Sequence, residues 1–373
     1  NNGTNENLTV YNQSTADVDG NNIKNIYNWY KYGTSIAVLN MPMDINGSTT
    51  NSTNIKDYSG YGNNGSKDLN ATNPGAYHNL TGGYDGFGAF EFDGIDDYIN
   101  CGNSSTFNSS SFTTSFWIKA NSAVTGAKTT QPIWHSARNY IFSWDHTNAD
   151  FQQSISFRDT DLNWQKAKIT TNLAADVWYH IVGTYDGTDI KIYLNGIENS
   201  SNSPGTTPSN STGLLAIGGQ TGTNYFNGSI DDVIIYNYSL SAEQIQALYL
   251  NQTNRIVQQE TTTGEIWSVN VTPNDGTIDG TTLNSGDLTV LTANNCVDLT
   301  DSDAITANGN ITAVDANRFQ VSGELQVCEA AYTFSVGNGQ HQFEITGTGF
   351  TLDLNGASFT NSQGSIYGNG VTF

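Results

Sequence analysis

The run from Trp178 to Gly196 restricts the fold more than any other part of the chain. Trp178-Tyr179-His180-Ile181-Val182-Gly183-Thr184-Tyr185 and Ile190-Lys191-Ile192-Tyr193-Leu194 are dense in β-branched and aromatic residues. Asp186-Gly187-Thr188-Asp189 joins them, and Asn195-Gly196 closes the second, a dipeptide that tolerates the positive φ of tight hairpin turns. The run Phe90-Glu91-Phe92-Asp93-Gly94-Ile95-Asp96-Asp97-Tyr98-Ile99 has the same character. Read with period two, Phe90, Phe92, Ile95, Tyr98 and Ile99 suit a half-buried face, while Asp93, Asp96 and Asp97 crowd a short corner. Phe226 to Tyr236 reads as a further strand. Ser241 then opens the one convincing helix, expected over Ala242 to Leu250 at a sheet edge, with Ser241 as N-cap and Gln244 at the capping-box position. The architecture is therefore expected to be all-β.

In this order, FDGIDDYI, WYHIVGTYDGTDIKIYLNGI and FNGSIDDVIIYNYSLSAEQIQALY resemble the laminin G-like, concanavalin A-like jelly roll found in many bacterial and archaeal surface proteins. The resemblance implies a jelly-roll sandwich over residues 39–253. That fold hosts lectins, glucanases and inert spacers alike, so it does not fix a function. It also implies a Ca2+ site near Asp57, Asn64 and Asp231, completed by backbone carbonyls. The alternative is that these side chains cap turns. Glucanases on this fold carry a Glu-x-Asp-x-x-Glu strand, whereas Glu91-Phe92-Asp93-Gly94-Ile95-Asp96 ends in Asp and follows the non-catalytic pattern.

The flanks are too short to form cores of their own. LTVYN, DVDG and NWYKYGTS in residues 1–38, with GEIWSVNVTPNDGTIDGTTLNS in residues 254–293, together resemble an immunoglobulin-like domain of prokaryotic surface proteins. The expected organisation is a jelly roll inserted into that sandwich. Many members of the family carry Cys where Val10 and Val269 stand, so an apolar pair replaces the bridge here, and Trp29 is the expected core Trp. Residues 294–373 hold short strands spaced by Gly and Asn, which fits a β sandwich or the rungs of a solenoid.

Charge narrows the partners. Lys+Arg 13 against Asp+Glu 35 gives a net charge of -22, which disfavours nucleic acid and anionic membranes. Polarity comes instead from Asn, Ser, Thr and Gly. Asn-X-Ser/Thr sequons stand at Asn2, Asn7, Asn12, Asn46, Asn51, Asn64, Asn70, Asn79, Asn103, Asn108, Asn199, Asn210, Asn227, Asn237, Asn251, Asn270 and Asn310. Such a composition yields roughly ten by chance, so the excess points to an exported chain bearing N-linked glycans, the alternative being Asn-rich loops that carry no sugar. Of the 3 cysteines, Cys296 and Cys328 are spaced to close a disulfide loop, leaving Cys101 as a buried thiol. No stretch spans a bilayer, and the opening Asn1-Asn2-Gly3-Thr4 carries no signal-like region, so an export signal is expected to lie upstream or to have been removed.

Trp134, Tyr140, Trp144 and Trp164 are candidates for an aromatic platform under sugar rings, the alternative being that they fill the core. The five His residues are scattered without metal spacing, and His180 within its strand reads as packed. The leading expectation is a non-enzymatic, extracellular structural or adhesive glycoprotein of a prokaryotic, archaeal-type cell surface, assembling through strand edges into a filament or surface layer. A calcium-dependent lectin that binds surface glycans is the alternative, and a polysaccharide hydrolase a third.

Overall fold

The computed structural model describes residues 6–12, 15, 20, 22–44, 54–67, 75–121, 129–135, 141–145, 152–158, 163–171, 173–208, 213–219 and 224–291, together with short strands between 296 and 361. It is an all-β chain of two compact units. One unit comprises Leu8–Thr261 and Glu265–Leu288. The other comprises Asn1–Asn7, Thr262–Gly264 and Thr289–Phe373.

Two antiparallel sheets face each other in the larger unit. The first runs, in spatial order, Ile197–Asn202, Ile190–Leu194, Tyr179–Tyr185, Phe112–Ala120, Asn227–Tyr236, Ala89–Asp93 and Tyr77–Asn79, with Ala37–Met41 also pairing to Asn227–Tyr236. The second runs Trp164–Lys168, Gln152–Arg158, Ile141–Asp145, Thr129–His135, Leu215–Ile217, Ile99–Asn100, Gly65–Lys67 and Asn54–Ile55. Alternate residues point inward, and Phe90, Phe116, Ile181, Ile192 and Ile230 meet Ile99, Ile133, Phe142, Ile155 and Ile217 in one apolar core. Phe116 and Phe142 pack edge to face at 4.9 Å and 87°. The sheets approach so closely at Gly183 that a Cβ there would collide with Ile155 and Phe142.

The hairpin read from the sequence forms as expected, with Tyr185 paired to Ile190 and Asn195 at φ 50 followed by Gly196 at φ 79. The helix spans Ala242–Tyr249, with the Ser241 hydroxyl accepting from the Gln244 amide at 3.2 Å. Its cap differs from a capping box. The Glu260 carboxylate, not Gln244, accepts from the Ser241 amide at 2.6 Å, and the Gln244 side chain turns inward to bond the Arg255 carbonyl and the Val257 amide. Nor is the helix only an edge cover, because its Tyr249 ring stacks on Trp117 at 5.8 Å, over the middle of the first sheet.

The segments flanking the jelly roll pair with each other. Lys24–Lys31 lies antiparallel to Ile266–Asn274 in unbroken register, with Trp29 opposite Val269, and this small sheet continues through Leu283–Asn284 and Thr34–Ser35. Trp29 is buried and donates from Nε1 to the Thr253 carbonyl at 3.0 Å. Val10 bonds through its amide to the Asn254 carbonyl, and Leu8–Thr9 pairs with Arg255–Ile256.

In the smaller unit, Leu325–Val327 pairs in parallel with Leu352–Asp353, and Ala331–Phe334 in parallel with Ser358–Asn361. Both pairs join strands 27 residues apart, 325 to 352 and 331 to 358. A third parallel pair joins Cys296 to Gln326, 30 residues apart, so the spacing is similar without being constant. Ile311–Asp315 and Arg318–Val321 form an antiparallel hairpin beside it in sequence. Cys296–Val297 runs parallel to Leu325–Val327, while Cys328 and the Cys296 side chain lie outside the described residues. Cys101 is a buried free thiol whose pKa burial raises.

Candidate functional site

The carboxylates expected to hold calcium do not share a shell. Asp57 is buried, and both its oxygens are taken: Oδ1 accepts from the Asn40 and Ser59 amides, and Oδ2 from the Ser59 hydroxyl and the Asn63 amide. Those four donors fill a carboxylate's acceptor sites. The Asn64 side-chain oxygen accepts from the Asp57 amide at 2.9 Å. The pair therefore holds the 57–64 loop together, the turn-capping alternative. Asp231 stands in another setting, accepting from the Tyr84 amide at 3.1 Å and from the Asp232 amide at 2.8 Å. A different trio, Asp93, Asp96 and Asp97, brings its ligand atoms within 4.8 Å of one another, and the Asp93 Oδ1 accepts from the Ile95 and Asp96 amides.

Asp231 belongs to a charge cluster on the outer face of the first sheet. Lys24 Nζ lies 2.9 Å from Asp44 Oδ2, 2.7 Å from Asp85 Oδ2 and 3.1 Å from Asp232 Oδ1. Beside this cluster Tyr84 stacks on Trp117 at 3.8 Å. Burial and then the Asp232 charge raise the Asp231 pKa, and burial likewise raises that of Asp232. His180 packs on Trp117 at 5.1 Å and meets the Ser115 hydroxyl at 2.9 Å, its pKa lowered to about 3 by burial.

The expected aromatic platform is not one surface. Trp134 is buried against Ala216, Tyr98 and Leu214, whereas Trp164 is 47% exposed on the terminal strand of the second sheet. Two strands intervene between theirs, a separation of about 14 Å at the usual inter-strand spacing. Tyr140 and the Trp144 side chain lie outside the described residues.

An aromatic-lined cavity that periodicity did not reveal lies where the small sheet meets the end of the Asn227–Tyr236 strand. It measures about 370 Å³, and Tyr32, Lys31, Asn237, Tyr238, Glu260 and Trp267 are among its walls. The turn Tyr32-Gly33 forms one side, with Tyr32 at φ 51, 60% exposed, and its amide bonded to the Ile266 carbonyl. Trp267 is anchored by donating to Glu265 at 3.0 Å, and Lys31 Nζ, 2.6 Å from the same carboxylate, sits 5.3 Å over the indole. The Tyr238 hydroxyl is buried with no hydrogen-bond partner among the described residues. Burial raises the pKa of Tyr238, with the Glu260 charge adding to it, and burial raises that of Glu260. The Asn237 sequon side chain is exposed at the rim. The only signal in the sequence was that Lys31-Tyr32 precedes and Glu265-Ile266-Trp267 follows the jelly-roll strands.

Of the other sequon asparagines among the described residues, Asn12, Asn64, Asn103 and Asn251 are exposed, while Asn7, Asn79, Asn108, Asn199, Asn227 and Asn270 are half-buried. Several of the half-buried side chains are engaged: Asn79 donates to Glu91, Asn199 accepts from Thr170, and Asn270 donates to Tyr30. Asn2, Asn46, Asn51, Asn70, Asn210 and Asn310 lie outside the described residues.

Residues 93–246 match the family described as the concanavalin A-like lectin/glucanases superfamily. This part of the chain is a concanavalin A-like jelly roll. Family members include both enzymes and binders, and the jelly roll as folded here begins earlier, at Ala37. Similar solved structures include domain 4 of AbnA, a GH43 extracellular arabinanase from Geobacillus stearothermophilus, in complex with arabinotriose. That match has 20% identity and a TM-score of 0.45, and covers 57% of this chain and 98% of that domain. The botulinum neurotoxin serotype D ligand binding domain in complex with N-acetylneuraminic acid matches at 16% identity and TM-score 0.44, over 58% of this chain and 51% of its own. The botulinum neurotoxin serotype G binding domain matches at 18% identity and TM-score 0.44, with 58% and 51% covered. The chain thus spans about half the length of these neurotoxin domains. No curated protein matches it. Among the described residues, no helix is long and apolar enough to cross a membrane.

Proposed function

We propose that the chain is a non-catalytic, extracellular carbohydrate-binding protein, and that its ligand is a neutral or weakly charged saccharide. The observation that carries this reading is the cavity of about 370 Å³, whose exposed Tyr32 ring offers a stacking face and whose buried Tyr238 hydroxyl has no hydrogen-bond partner among the described residues. Such a volume sits at the small end of the roughly 300–1,000 Å³ of ligand pockets, and a few polar groups set among aromatic rings are what a pyranose needs. Its family, which includes lectins, supports the same reading. The carboxylates support the absence of catalysis: Glu91 accepts from Asn79 at 2.7 Å, and the third acid of a glucanase strand is replaced by Asp96 in a turn.

The test is a glycan panel titrated against wild-type chain, Tyr32→Ala and Tyr238→Phe. Tyr32→Ala should weaken binding at least tenfold by removing the stacking face, and Tyr238→Phe by a few-fold to tenfold, the worth of one hydrogen bond. A wild-type chain that binds no glycan in the panel would sink the reading.

A second reading, a surface-presented glycoprotein that assembles through strand edges on a prokaryotic cell, has its own support. Among the described residues the Ile197–Asn202 strand stands last in the order of the first sheet; Asn199 and Ser200 bond to Thr170 and Lys168, while Ile197 at its start is 69% exposed. Filaments seen by electron microscopy of the natively isolated protein would favour it, and dispersed monomers would count against it.

A further inference from the structure

The cluster around Lys24 is more than an ion pair. Lys24 opens the Lys24–Lys31 strand of the small sheet, Asp44 follows the Ala37–Met41 strand, and Asp231 and Asp232 sit at an irregularity in Asn227–Tyr236 where Asp232 has φ 45. All lie in one compact unit. The side chains of Lys24, Asp44 and Asp85 are 14%, 0% and 8% exposed. One ammonium thus faces several carboxylates away from water, where each unneutralised charge is costly.

The Asp44 Oδ1 accepts from the Gly88 amide at 3.1 Å, while its buried Oδ2 has no hydrogen-bond donor among the described residues and only the Lys24 ammonium at 2.9 Å. Asp85 is held in a similar way, its Oδ1 accepting from the Phe87 amide and its Oδ2 against Lys24, but Asp44 is the most buried of the three carboxylates, with 0% exposure against 8% for Asp85 and 15% for Asp232. The first oxygen of Asp44 is therefore held by a donor that can stabilise developing negative charge, and the second is free to leave. We infer that Lys24 and Asp44 condense to an intramolecular amide, a covalent cross-link between the small sheet and the jelly roll.

The step balances without a co-reactant. Asp232 takes one proton from the Lys24 ammonium, and the free amine attacks Cγ of the protonated Asp44 carboxyl. The Nζ–Cγ bond forms and the Cγ–Oδ2 bond breaks. Oδ2 departs as water, carrying its own proton and one from the amine, and the third proton stays on the amide nitrogen. Nothing is oxidised or reduced, and the lost charges are one cation and one carboxylate. Burial alone would lower the Lys24 pKa, and the carboxylates Asp232, Asp44, Asp231 and Asp85 outweigh it and raise it. The amine therefore arises only by transfer to a neighbour that is itself a poor acid in this setting. Burial raises the pKa of Asp232 and that of Asp44, which favours in Asp44 the neutral form that an amine can attack. Proximity supplies the rest, since the reacting groups are held within contact distance before reaction.

Intact-mass measurement of the denatured, reduced full chain, produced in a host without N-glycosylation, tests this directly. The expected mass is one water below that of the sequence, with Lys24→Arg and Asp44→Ala each at full mass. Proteolysis should release a branched peptide joining Lys24 to Asp44. A wild-type chain at full sequence mass overturns the proposal, and this result does not depend on any variant folding. A deficit that persists in Lys24→Arg also overturns it, since dehydration at an Asp-Gly step would then be the source. A branch mapped to Asp85 or Asp232 overturns the assignment to Asp44.

Discussion

The two faces of the first sheet are built from alternate residues of the same strands, yet they are buried by opposite means. Inward, Phe116, Ile118, Ile181 and Ile192 are fully buried in an apolar core shared with the second sheet. Outward, the neighbouring Ser115, Trp117 and His180 are also buried, but among Tyr84, Tyr249 and one another. Further along the outer face, beneath the small sheet, the covering groups are Lys24 and the aspartates. The inner face is stabilised by removal of apolar area from water, which is non-directional and tolerant of detail. The outer face buries polar groups that are stable only while each keeps its partner. Damage to the two faces should therefore read out differently.

The largest effect is expected on the inner side. Phe116→Ala removes a fully buried ring packed edge to face on Phe142 and should cost about 3–5 kcal/mol, with little dependence on pH. Urea unfolding at two pH values checks it. A loss below about 1 kcal/mol would mean that the two sheets do not share one dry core.

The outer side should instead respond to acid. Burial lowers the folded-state pKa of His180 to about 3, from the 6.5 of an ordinary imidazole. Below 6.5 the unfolded chain binds a proton that the folded chain refuses, so its contribution is intact above that pH. It is lost as pH falls towards 3, at up to about 1.4 kcal/mol per unit. His180→Gln keeps a group able to bond Ser115 and should flatten the stability profile between pH 6.5 and pH 3. A profile with the same slope in both proteins would assign the acid limb elsewhere.

The contrast also explains what could be read in advance. The strands from Phe90 to Tyr236 announced themselves through period-two patterning and Asn-Gly chemistry, because the inner face is repetitive and apolar. Lys24–Lys31 pairs with Ile266–Asn274 across the whole length of the jelly roll in sequence, and both strands belong to the same compact unit as the jelly roll. The outer face gave no such signal. Lys24 and Asp44 look like solvated charges in a polar chain, and Tyr32 and Trp267 are more than two hundred residues apart, so only folding brings them to one cavity. Asp57 resembles a metal ligand in sequence for the same reason. A carboxylate in a Gly-rich loop looks alike in sequence whether it faces an ion or four protein donors.

A smaller effect tests whether the polar logic extends to the helix. Gln244 is buried, its Nε2 donating to the Arg255 carbonyl at 3.1 Å and its Oε1 accepting from the Val257 amide at 2.8 Å. Its amide thus holds the chain leaving the helix against the helix itself. Gln244→Ala leaves both backbone groups unpaired in a buried site and should cost about 1–3 kcal/mol. Gln244→Glu is the sharper variant. A carboxylate can still accept from Val257 but cannot donate to Arg255, and ionising it there adds a burial cost, so its deficit should grow as pH rises above the carboxylate range. Unfolding midpoints measured at constant m-value would show Gln244→Glu approaching wild type in acid and falling away at neutral pH. If the two substitutions cost the same at every pH, the outer face is held by shape alone, and the contrast with the inner core fails at this position.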